Sequence, residues 1–132
     1  MTIKPLTISN TAKQAGVGIE TIRYYQRIGL ITEPAKPPTG YRIYPAETVS
    51  RLLFIHRSKE LGFSLSEIAT LLTLGEEHCL ETKNMASAKL DLIKNKIKDL
   101  QGMVNTLEQL VHSCEVNQTQ PTCPIINAIH KR

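Results

Sequence analysis

Between Leu90 and Val111 the apolar residues fall at Leu90, Ile93, Ile97, Leu100, Val104, Leu107 and Val111, in alternating steps of three and four. That spacing is an a/d heptad seam, which predicts a coiled-coil helix. Lys94, Lys96, Lys98, Asp99, Asn105 and Glu108 fill the other faces, so the apolar stripe is narrow. A narrow stripe on a long helix is buried only against another long helix. The chain carries no second heptad segment, so the expected partner is an identical chain, giving a homodimer.

Extending the register places Cys79 and Cys114, 35 residues apart, at d positions on opposite ends of the seam. At the rise of an α-helix they are about 52 Å apart in one chain, too far to share a ligand. An antiparallel dimer brings Cys79 of one chain near Cys114 of the other. Cys123, nine residues further on, can fold back to the same end. A lone cysteine at d is ordinarily a small buried hydrophobe. Three cysteines gathered at one end point instead to a metal site.

The 132 residues suffice for one small domain plus an arm, and the absence of Trp argues for several small helical cores over one large one. Net charge is +4, compatible with a nucleic-acid partner, and arginines 23, 27, 42, 51 and 57 crowd the first 60 residues. An odd count of three cysteines argues against a disulfide framework. The N-terminus has no apolar run, so neither a signal peptide nor a membrane span is expected, and the reading is a reduced, cytoplasmic protein.

Ile3 to Thr7 is read as an edge strand. Ser9 is read as the N-cap of a helix through Ala15, ended by Gly16. A second helix runs Ile19 to Ile28 and closes at Gly29, so the pair makes a helix-turn-helix pattern around Ala15-Gly16-Val17. Ile19, Ile22, Ile28 and Leu30 are assigned inward, leaving Thr21, Arg23, Tyr24 and Arg27 outward. Such a face suits phosphates and base edges; an ordinary solvated face is the alternative. Residues 33–45 hold four prolines, and Thr39-Gly40 marks a turn before the alternating Tyr41-Arg42-Ile43-Tyr44. A hairpin there is a wing, with Arg42 toward DNA and Tyr41 or Tyr44 packing back or meeting a phosphate. Pro45 fixes a third helix, Ala46 to Leu61, with Val49, Leu52, Leu53 and His56 at helical spacing. Ser64 and Glu67 form a capping box for a fourth, ending at Leu74. Gly75 to His78 link to the long helix, and Pro124 opens a last short helix with Cys123 at its N-cap, where a thiolate is favoured.

IETIRYYQRIGLI, GYRIYP and LGFSLSEIATLL resemble the MerR family of transcription regulators over essentially the whole chain. HCLETKNMASAKL, VHSCEV and TCPII are similar to its mercury-responsive members, and carry metal ligation onto Cys79, Cys114 and Cys123. The resemblance implies a regulator rather than an enzyme. It implies a mainly all-α fold with a small β wing: a winged helix-turn-helix DNA-binding domain over 1–75, then an antiparallel coiled-coil dimerisation helix and metal-binding loop over 76–132. The candidate DNA-facing residues remain Thr21, Arg23, Tyr24, Arg27, Arg42 and Tyr44, and the resemblance implies promoter DNA as their partner, with a metal-driven switch from repression to activation by untwisting an over-long spacer under RNA polymerase. Lead- and cadmium-sensing relatives share a similar cysteine trio.

Chemistry orders the metals separately. Three thiolates make a soft site. Structural Zn(II) normally takes a fourth ligand, which His78 or His112 is placed to offer. Three-coordination favours Hg(II), with Pb(II) next and Zn(II) or Cd(II) after. The competing readings are a metal-storage or delivery protein, and a thiol redox switch, which here lacks a CxxC pair.

Overall fold

A computed structural model describes residues 5–116 and 122–130. It forms two compact units, 1–82 and 83–132. Within the first unit, Thr82 of the long helix lines an apolar recess with Phe54, Leu71 and Leu72.

The first unit is built from four helices. Helix α1 spans Ile8–Ala15. Its N-cap is Thr7, not Ser9: the Thr7 hydroxyl accepts from the Asn10 amide at 3.3 Å, and the Thr7 carbonyl takes the first helical bond from Thr11. Gly16, at φ 69°, ends it in a left-handed turn that only glycine enters without strain. Of the expected edge strand, Ile3 and Lys4 lie outside the described residues, and Leu6 and Thr7 are not in a strand.

Helix α2 spans Ile19–Arg27 and turns Ile22 and Tyr25 into the core. Ile28, expected inside, is 44% exposed. The helix stops just before it, and Gly29 redirects the chain so that Leu30 and Ile31 take the buried places, both donating to the Tyr25 carbonyl.

The expected β wing is a correction. Among the described residues there is no strand, and 33–45 is an irregular loop. Pro34, Pro37, Pro38 and Pro45 have no N–H to donate to a ladder. The Tyr44 amide goes to the Leu6 carbonyl at 2.7 Å, and Arg42 Nε to the Pro34 carbonyl at 2.9 Å. A side chain and one long-range backbone bond thus do what a hairpin ladder would have done.

Helix α3, Ala46–Glu60, starts directly after Pro45 and buries Leu52 and Ile55. His56, assigned by spacing to the apolar face, is exposed and lies 3.0 Å from Glu60. Helix α4, Leu65–Leu74, carries the expected capping box: the Ser64 amide donates to Glu67 at 2.8 Å, and the Glu67 amide to Ser64 Oγ at 3.2 Å. Ala12, Ala15, Ile22, Tyr25, Leu30, Ile31, Tyr44, Leu52, Ile55 and Ile68 form one core.

Helix α5 runs Cys79–Val116, 38 residues, without a single buried residue. Helix α6, Pro124–His130, follows. The seven seam residues of α5 are between 37% and 60% exposed in the single chain. No helix among the described residues is long and apolar enough to cross a membrane.

Candidate metal centre and nucleic-acid face

Cys123 precedes Pro124, the first residue of α6, and its carbonyl accepts from the Asn127 amide at 3.0 Å. It is therefore the N-cap. Proline fits the next position because that amide would have no partner in any case. The amides of Ile126 and then Ile125 point at the Cys123 sulfur and hold its pKa below the ordinary thiol value; burial opposes them, and a hydrogen bond with Cys114 adds to the lowering. Cys114, in the last turn of α5, is shifted the other way. Burial raises it first, followed by the Cys123 charge, the hydrogen bond between the two, and the Glu115 charge. The two sulfurs share a hydrogen bond and are shifted in opposite directions, Cys123 toward the thiolate and Cys114 toward the thiol.

Cys79 is the first residue of α5 and is exposed. The His78 carbonyl caps the turn by accepting from the Thr82 amide at 3.1 Å, and His78 Nδ1 lies 3.8 Å from Glu81. His112 lines a shallow recess on α5 with Val104, Leu107, Glu108, Val111 and Glu115. It is two residues from Cys114, which on a helix points it to the opposite side. Among the described residues no three His, Cys, Asp or Glu side chains of one chain converge to hold a metal. One chain therefore brings two thiols together, a soft donor pair.

On α2, Arg23, Tyr24 and Arg27 are exposed. Arg23 lies 3.4 Å from Glu20, and the Arg27 guanidinium stacks 5.6 Å over the Tyr24 ring. Thr21 sits at the flank, in a recess shared with His56 and Lys59. Arg42 is half-buried between Pro34 and Glu33. Tyr44 is the tyrosine that packs back: its ring is 3% exposed and its hydroxyl accepts from Gln26. Tyr41 stands 79% exposed. A hollow of about 180 Å³ between α2 and the 33–45 loop gathers Arg23, Arg42, Tyr41, Gln26 and Glu33. Glu33 and Gln26 were not identifiable from sequence, because nothing in their spacing marks them as facing Arg42 and Tyr44.

Residues 6–74 match the family described as MerR HTH family regulatory protein, and residues 49–110 match that described as MerR, DNA binding. The mercuric resistance operon regulatory protein of Serratia marcescens is 43% identical over 128 residues, covering 96% of this chain and 89% of that protein. The lead(II) complex of the transcription regulator PbrR691 from Ralstonia metallidurans CH34 superposes with a TM-score of 0.80 at 31% identity, over 94% of this chain and 98% of that one. The mercury(II) complex of the dual-function regulator MerR from Bacillus megaterium MB1 gives 0.70 at 39% identity, over 91% and 95%.

Proposed function

The chain belongs to the MerR family of transcription regulators, and from that membership we propose that it is an Hg(II)-responsive switch of a resistance operon. It is a metal-responsive, DNA-binding regulator and not an enzyme. Our reading goes further, to a cytoplasmic homodimer whose α5 helices pair antiparallel through the Leu90–Val111 seam. Each metal site takes Cys79 from one chain and Cys114 with Cys123 from the other. Hg(II) supplies a soft centre that thiolates bind far more tightly than oxygen ligands do. Cys123, whose pKa the α6 amides lower, is the more readily ionised ligand of the pair, and both thiols release their protons on binding. Arg23, Tyr24, Arg27, Arg42 and Thr21 face promoter DNA, with Tyr44 supporting the loop from beneath. Metal converts repression to activation by untwisting the spacer for RNA polymerase.

The observation that carries this reading is the Cys114–Cys123 pair, placed at the end of a helix whose apolar seam is unburied. The likeness to a lead(II) complex supports Pb(II) as the second effector. The test is transcription from the protein's own upstream promoter, with metals competed at buffered thiol concentration. Hg(II) should activate at the lowest free concentration. Activation first by Pb(II), Cd(II) or Zn(II) would reassign the effector, and a lack of any metal response would overturn the reading.

A further inference from the structure

The hollow between α2 and the 33–45 loop holds two guanidiniums, Arg23 and Arg42, and one carboxylate, Glu33. Arg42 Nε donates its one hydrogen to the Pro34 carbonyl at 2.9 Å, and Glu33 Oε1, 3.1 Å from the same nitrogen, pairs with the guanidinium by charge. The two partners differ in kind. The carbonyl is backbone and fixes where the guanidinium sits. The carboxylate is on a side chain 49% exposed, so it is free to leave. A carboxylate and a phosphodiester present arginine with the same negative, oxygen-acceptor geometry.

We infer that this hollow is a seat for a DNA backbone phosphate, and that Glu33 is its resident anion in the free protein. The inference rests on the DNA-facing assignment of Arg42 proposed above. Docking of a duplex exchanges the Glu33 carboxylate for a phosphate oxygen at Arg42. Because Pro34 already positions the guanidinium, Glu33 is not needed to orient it and acts as a competitor. A phosphate contact carries no sequence information, so Glu33 lowers affinity for every duplex by a similar factor. It also flattens the salt dependence. Each phosphate neutralised releases counterions from DNA, but a displaced Glu33 takes a cation back.

The experiment measures affinity of the full chain for its upstream operator and for a scrambled duplex across a salt series. It compares wild type, Glu33→Gln, Arg42→Ala, the double variant and Glu47→Gln. Glu47, in the first turn of α3, makes the same charge change away from the hollow. Glu33→Gln should tighten both duplexes by a common factor, roughly 2- to 30-fold per dimer for two exposed ion pairs. Its salt slope should be steeper than wild type. In the Arg42→Ala background the gain should shrink to that of Glu47→Gln. A Glu33→Gln variant that binds more weakly, or no more tightly than Glu47→Gln, while Arg42→Ala is impaired, overturns the exchange alone. An unimpaired Arg42→Ala overturns the DNA-facing assignment of Arg42, and the exchange with it.

Discussion

Replacing Leu100 by aspartate is the sharpest perturbation of the seam. Leu100 is 59% exposed in the single chain, and its six companions on α5 are between 37% and 60% exposed. Fully burying a Leu, Ile or Val contributes about 1.5–3 kcal/mol, so covering the exposed half gives about 1 kcal/mol per residue. Over the two helices of a dimer the seam offers on the order of 14 kcal/mol. Association costs about 4–15 kcal/mol in lost freedom and ordering, which leaves a margin of at most about 10 kcal/mol. Leu100→Asp removes about 2 kcal/mol of that burial per dimer and places two carboxylates in the seam, each costing several kcal/mol in desolvation. The combined loss, on the order of 8 kcal/mol or more, corresponds to at least about a 10⁵-fold weaker dimer. Sedimentation over a concentration series should find wild type dimeric and Leu100→Asp monomeric. Lys98→Asp, off the seam, should remain dimeric. A folded Leu100→Asp that sediments as wild type would refute the seam as the dimer contact.

Three further outcomes follow from individual residues. Arg23→Ala should weaken operator binding by about 1–3 kcal/mol if Arg23 reads a base, and flatten the salt slope on all duplexes if it touches a phosphate; gel shift across a salt series separates the two. Ser64→Ala removes the hydroxyl that accepts from the Glu67 amide and should cost about 1 kcal/mol, lowering the melting temperature by several degrees without altering metal binding. Cys123 is pushed below the ordinary thiol value and Cys114 above it, so the thiolate of Cys123 persists to lower pH; alkylation read by mass spectrometry at neutral pH should modify Cys123 first, and the reverse order would contradict the α6-cap geometry.

Helix boundaries were legible wherever the signal was local chemistry. Pro45 before α3, the Ser64–Glu67 box before α4 and Gly16 after α1 all act where the sequence places them. The heptad steps foretold a long helix, and α5 begins at Cys79 directly after the Gly75–His78 link. What sequence missed depends on packing across distance. Ile28 is left exposed because the helix ends before it and Gly29 redirects the chain, so that Leu30 and Ile31 enter the core beside Tyr25. Ile55 takes the interior that spacing gave to His56. The wing was read from alternation in Tyr41–Tyr44, but alternation says nothing about whether proline-depleted donors can complete a ladder. Heptad register singled out Cys79 and Cys114 as candidate ligands, whereas the Glu33–Arg42 contact joins a loop entrance to its exit and has no periodic signature.

The central claim, a thiolate site shared between two chains, is tested most directly by a mixed dimer. Cys79→Ser and Cys114→Ser should each lose tight Hg(II) binding, since every shared site then lacks one thiolate. A heterodimer of the two variants has one end where both serines meet and one end with Cys79, Cys114 and Cys123 intact. The account predicts that this heterodimer recovers one tightly bound Hg(II) per dimer. A heterodimer that binds no more tightly than its parents, or a Cys79→Ser homodimer that keeps full affinity, would contradict it.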